Sequence, residues 1–142
     1  MRTGYTLFEL AAVLLLMTVA TALLVPLTGS AVDRAAVRGA REAVTAVLAE
    51  ARVRARILSG AQVELSGPPW VVSLTAGGVE LRRVSLAREW GVVVDSVPPG
   101  ETIRIRFDAL GIGRVASRRI ILRRNDAVAR LVVSGFGRVR RE

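Results

Sequence analysis

The sequence predicts an α+β fold: one long N-terminal helix, its first half of transmembrane character and its second half a spine, followed by a small antiparallel β-sandwich. Three observations carry that expectation. An uncharged apolar run fills Leu10 to Leu27, an alanine- and arginine-rich stretch from Ser30 to Ser59 repeats its apolar residues at helical spacing, and the chain after Gly60 breaks into short runs separated by turn residues. At 142 residues there is room for one domain plus a membrane segment.

The apolar run covers about eighteen positions, which at about 1.5 Å per helical residue approaches the roughly 30 Å of bilayer hydrocarbon. A secretory signal has a shorter core and a small-residue cleavage site, so cleavage behind this run is the second choice. Pro26 removes an amide and crowds the preceding turn, which kinks the helix or marks the end of the span. Glu9 is the odd residue. An ionised carboxylate in mid-membrane costs on the order of 2.5–3.5 kcal/mol, less near an interface, so it persists where a partner recovers that cost. A plain single-span anchor with its glutamate reaching the interface also accounts for Glu9 alone.

From Ser30 to Ser59, Val37, Ala40, Val44, Val47, Leu48, Ala51, Ala55 and Leu58 recur at steps of three and four and form one stripe of an amphipathic helix. Glu50 and Arg54 have the favourable i,i+4 order, and Gly60 suits a stop. A continuous helix from Tyr5 to Ser59 is roughly 80 Å long. Its arginines, Arg34, Arg38, Arg41, Arg52, Arg54 and Arg56, read as a solvated face; the first three also suit lipid headgroups. They follow the span so closely that counting positive charge does not place Arg2 on the cytoplasmic side.

After Gly60, AQVELS, WVVSLT, VELRRVSL, GVVVDSV, ETIRIRF, RRIILRR and ARLVVS read as strands, and GPP, AGG, PPG and RND as turns. In ETIRIRF the alternation turns Ile103, Ile105 and Phe107 inward and Arg104 and Arg106 outward. With no second strong helix, these strands pack as antiparallel sheets on the spine. Trp70 and Trp90 read as core or edge packing.

Composition removes most catalytic chemistry. The chain has no cysteine, no histidine and no lysine, so thiolates, imidazole bases and Schiff bases are absent. No catalytic, cofactor-binding or metal-binding residue is assigned, and the protein is read as a non-enzyme. Asp108 and Asp126 read as turn formers, and the glycines of GIG and GFG lack the strand-to-helix setting of a phosphate loop. The net charge of +9 and a pI near 11.7 fit a polyanionic partner, but arginine-rich coding bias gives the same totals, so position decides.

The residues GYTLFEL before an apolar run resemble the N-terminal methylation signal of type IV pilins and type II secretion pseudopilins. Gly4, Tyr5, Thr6, Leu7, Glu9 and Leu10 fit that signal, with Tyr5 in place of the commoner phenylalanine and Phe8 in place of isoleucine. The resemblance implies a leader, residues 1–4, that a prepilin peptidase removes between Gly4 and Tyr5, methylating the new amine. It implies an assembly half of the helix over 5–27, an amphipathic half over 28–59 and a β-rich head over 60–142. Glu9 would meet a Tyr5 amine between neighbouring subunits, and Pro26 falls where family members often carry a proline.

A second resemblance lies at the C-terminal end. FDALGIG, a strand at RRIILRR, and ARLVVSGFGRVRRE are similar to the GspH/FimT group of minor pseudopilins and pilins, whose ending is Gly-Arg-x-Arg. Gly137, Arg138 and Arg140 match it, with Arg141 added.

The resemblance implies a minor pseudopilin of a type II secretion system. Such a subunit is a single-pass protein of the bacterial inner membrane with its C-terminal domain in the periplasm. It is drawn into a pseudopilus with other pseudopilins or pilins by an inner-membrane assembly platform. The alternative is a FimT-like minor type IV pilin that binds DNA for natural transformation through Arg138, Arg140 and Arg141 on a flexible tail. Arginine forks match phosphate oxygens, and binding of that kind weakens with salt. Against it, and preferred because secretion pseudopilins of the same group share the ending, Arg138 and Arg140 read as outward positions of a last strand with Val139 turned inward.

Overall fold

The structure is a computed structural model that describes residues 6–114 and 117–142; for residues 23–28 it describes backbone but not side chains. The chain divides into two compact units, Met1–Val32 and Asp33–Glu142. Helix α1, Leu7–Leu58, runs through 52 residues and belongs to both.

In the first unit Thr6 and Glu9 form a reciprocal cap. The Glu9 amide donates to the Thr6 hydroxyl at 3.3 Å, and the Thr6 amide donates to the Glu9 carboxylate at 3.4 Å. The hydroxyls of Thr18 and Thr21 donate back to the carbonyls of Leu15 and Met17, each at 2.7 Å, which hides their polarity within the helix. Every described side chain from Leu7 to Ala22 is exposed. Among the described residues no helix is long and apolar enough to cross a membrane. The span expected from sequence, Leu10 to Leu27, includes residues whose side chains lie outside the described ones.

The second unit is built on α1 from Asp33 onward. The expected stripe is buried from Val37 through Ala55, but Leu58 at its end is 42% exposed. There Gly60, at φ 145°, donates its amide to the Ala55 carbonyl at 2.9 Å and turns the chain into the sheets. The first sheet orders its strands β3 (Val79–Ser85), β2 (Val71–Ala76), β1 (Ala61–Ser66), β5 (Thr102–Phe107) and β6 (Gly113–Arg114). The second orders β4 (Val93–Val94), β7 (Arg118–Arg124), β8 (Ala127–Val133) and β9 (Val139–Arg141). All pairs are antiparallel. Period-two burial on β1 and β2 turns Val63, Leu65, Val72 and Leu74 toward the helix stripe, so one core is shared by α1 and both sheets.

Three differences from the expected elements have local causes. A short helix α2, Leu86–Trp90, interrupts the expected strand run; the Ser85 hydroxyl caps it and Gly91 closes it at φ 63°. GVVVDSV contributes only the two residues of β4, because Asp95 and Ser96 turn away, Ser96 to accept the Ile121 amide at 3.1 Å. The tail is ordered as β9, which follows the last-strand reading and departs from the flexible tail of the DNA-binding alternative. Trp70 is buried, and Trp90 packs at the core edge so close to α1 that a Cβ on Gly39 would lie 2.7 Å from its Nε1.

Candidate functional site

Two places collect the residues singled out by sequence. The first is the start of α1, where Glu9 is exposed and, among the described residues, engaged only with Thr6. Gly4 and Tyr5 lie outside the described residues. Pro26 sits within helical backbone, with its side chain outside them. Around Glu9 the exposed side chains are apolar on every side of the helix, from Leu7 at 87% and Phe8 at 85% to Val19 at 51%. Such a surface needs cover from outside its own unit.

The second place is where the two C-terminal motifs meet α1. Asp108 organises the FDALGIG turn: its Oδ1 accepts the amides of Leu110 and Ile112, each at 3.0 Å, while its other oxygen faces Arg114 at 3.5 Å. The Ile112 amide foremost, then those of Leu110 and the Arg114 guanidinium, hold the Asp108 carboxyl below its ordinary value. Gly111, at φ 74°, passes so close to the helix that an added Cβ would lie 2.8 Å from Arg56 Nε. Gly113 then donates to the Phe136 carbonyl at 3.0 Å, and a Cβ on it would fall 2.6 Å from the Gly137 backbone.

Arg52 ties this junction to the spine. Its Nη2 donates to the Gly137 carbonyl at 2.8 Å, its guanidinium stands 6.0 Å from the Phe107 ring centre, and its Nε is buried with no partner among the described residues. The result is a groove of about 500 Å³ lined by Arg52, Arg56, Leu110, Ile112, Phe136 and Arg138.

The tail arginines separate by strand parity. Val139 turns inward, while Arg138 and Arg140 are exposed and face no carboxylate among the described residues. Arg140 lies across from Val132, which itself lies across from Arg119, so arginines stud the outer face of the second sheet. Arg141 instead bonds Glu42 of α1 at 2.9 Å. Sequence reasoning grouped these three together and missed Arg52 and Arg56, which it placed on a solvated face. The available signal was the glycine pair Gly113 and Gly137, since two bare positions allow two backbones to touch. Among the described residues no cluster of acidic, histidine or cysteine side chains is disposed to hold a metal.

With this geometry in view, comparison with solved structures bears on the fold. The type IV minor pilin FimU of Pseudomonas aeruginosa, in a P21 crystal, superposes with a TM-score of 0.59 at 22% identity, covering 77% of this chain and 90% of that one. The same protein in a P65 crystal gives 0.53 at 20% identity, covering 74% and 91%. The fold is pilin-like. No protein-family model matches the chain, and no curated protein does either.

Proposed function

We propose that this chain is a minor structural subunit of a pilus-type filament, of the type IV class, with no covalent chemistry of its own after processing. The observation that carries the reading is the first part of α1: its described side chains are exposed and apolar all round, interrupted by one carboxylate, Glu9. Neighbouring helices in a filament, and bilayer before assembly, are the surroundings that cover such a surface. The pilin-like fold supports the same reading. Both solved neighbours are a type IV minor pilin, a likeness of fold that fits a pilus subunit and the secretion pseudopilin that the sequence put first alike.

In this reading a prepilin peptidase removes residues 1–4. The Leu10 to Leu27 segment then holds the subunit in the inner membrane with its head in the periplasm, and an assembly platform extracts it. Freed at Tyr5, the chain has an amine one turn from Glu9, and the Thr6 cap gives way to a charge pair between subunits. The test is the mature N-terminus in cells that make the protein. N-terminal sequencing should find methylated Tyr5, and Glu9→Ala should be lost from sheared filaments; a chain still beginning at Met1 overturns the reading.

A second reading adds nucleic-acid capture. It is supported by Arg138 and Arg140, exposed and free of carboxylates among the described residues, whereas Arg141 is committed to Glu42. Full-length protein in detergent should then shift DNA in a salt-sensitive way, and Arg138→Ala with Arg140→Ala should abolish the shift. Absence of binding at low salt removes this reading and leaves the first intact.

A further inference from the structure

We infer that the groove beside Arg52, Arg56 and Arg138 docks an acidic segment, apolar at its centre, from a different polypeptide. The inference rests on the filament-subunit reading for where that partner stands, as a neighbouring subunit of another kind.

The charge distribution excludes a second copy as the occupant. No charged residue lies between Glu9 and Asp33, and Arg2 and Glu9 cancel, so the whole net charge of +9 resides in residues 33–142. The carboxylates there are largely committed: Asp33 to Arg124, Glu42 to Arg41 and Arg141, Glu50 to Arg54 and Arg82, Glu64 to Arg104, Asp95 to Arg123. Among the described residues Glu89, Glu101 and Asp126 face no arginine, but they lie on three separate segments, so one copy presents a basic head with scattered single acids to the groove of the next, and two such heads repel at close range.

The groove itself asks for two things at once. Arg56 and Arg138 line it and face no carboxylate among the described residues. Beside them Phe136 is 78% exposed and Leu110 73%, large apolar groups at a lip that nothing among the described residues covers. Carboxylates flanking an apolar side chain satisfy both features, with arginine forks taking the acids and the lip closing over the apolar group. A nucleic-acid strand would answer the arginines and stack on Phe136, but the aliphatic Leu110 and Ile112 give its bases no aromatic face.

The test uses full-length protein in detergent micelles and a fluorescent peptide of alternating glutamate and leucine with one central phenylalanine. The peptide should bind, and its counterpart with glutamine for glutamate should bind at least about tenfold more weakly. Arg56→Ala, Arg138→Ala and Phe136→Ala should each weaken binding about tenfold with the fold intact by circular dichroism, because all three side chains line an open groove. Arg88→Ala removes an equal charge from α2, away from the groove, and should change nothing. Equal binding of the two peptides, or equal loss in Arg88→Ala, overturns the inference. So does a single-stranded oligonucleotide that displaces the peptide and loses affinity in the same variants, which would give the groove to nucleic acid. None of these outcomes alters the mature N-terminus, so the docking site and the filament reading fail separately.

Discussion

The two parts of α1 solve one problem in opposite ways. From Asp33 to Leu58 the helix confines its apolar residues to one stripe, and the protein's own sheets cover them: Val47, Ala51 and Ala55 are fully buried. From Leu7 to Ala22 apolar residues occupy every side and all are exposed. The polar hydroxyls there, Thr18 and Thr21, are folded back onto helix carbonyls, as an apolar setting demands. Amphipathicity thus marks where the chain is its own partner, and its loss marks where the partner is something else.

The largest effect separates the two parts by paired truncations. Leu48→Ala empties a site in the shared core and should cost about 2–5 kcal/mol in chemical unfolding. Leu15→Ala removes the same group from an exposed position and should change head stability by less than about 0.5 kcal/mol while reducing recovery in filaments. Equal destabilisation by both would break the comparison, because the first part would then be packing against the chain itself.

A smaller effect tests how the covered part closes at its far end. Gly113 does not need left-handed backbone, so Gly113→Ala probes only contact with the Gly137 backbone, 2.6 Å from the added carbon. Because backbone cannot swing aside, a loss of about 1–3 kcal/mol is expected, with amide shift changes centred on Gly137. Arg52→Met keeps the side-chain bulk and removes the donor to the Gly137 carbonyl. It should cost about 1–2 kcal/mol and loosen β9, seen as faster amide exchange at Val139.

These two positions mark where sequence stopped being legible. Periodicity placed the second part of the helix to Ser59 against an observed end at Leu58, its stripe almost residue for residue, and β1 and β7 without error, because each signal is repeated along a stretch that packs on one partner. The fold class follows from those elements. The two-residue β6 and three-residue β9 carry no period, and exist because Gly113 and Gly137 touch and Arg52 holds the second of them. Arg52 and Arg56 look like any helix arginine until the turn at Gly111 arrives beside them. Alternation of Arg138, Val139 and Arg140 gave the last strand with Val139 inward, whereas the Arg52 and Glu42 contacts that tell it from a flexible tail come from residues distant in sequence.

The smallest effect concerns the turn that carries Leu110 and Ile112 to the groove lip. Amides of Ile112 and Leu110 and the guanidinium of Arg114 favour the ionised Asp108, so its folded pKa lies below the unfolded one. Stability from this group is therefore complete above the unfolded pKa and is lost as pH falls through the depressed folded value. A carboxyl NMR titration should place the Asp108 midpoint below that of an unstructured aspartate. Asp108→Asn keeps an oxygen for the two amides but cannot titrate, so the turn should persist while the acid-induced shifts of Leu110 and Ile112 disappear. If those shifts survive in Asp108→Asn, the acid response belongs to another group, and the turn is held by its backbone and glycines alone.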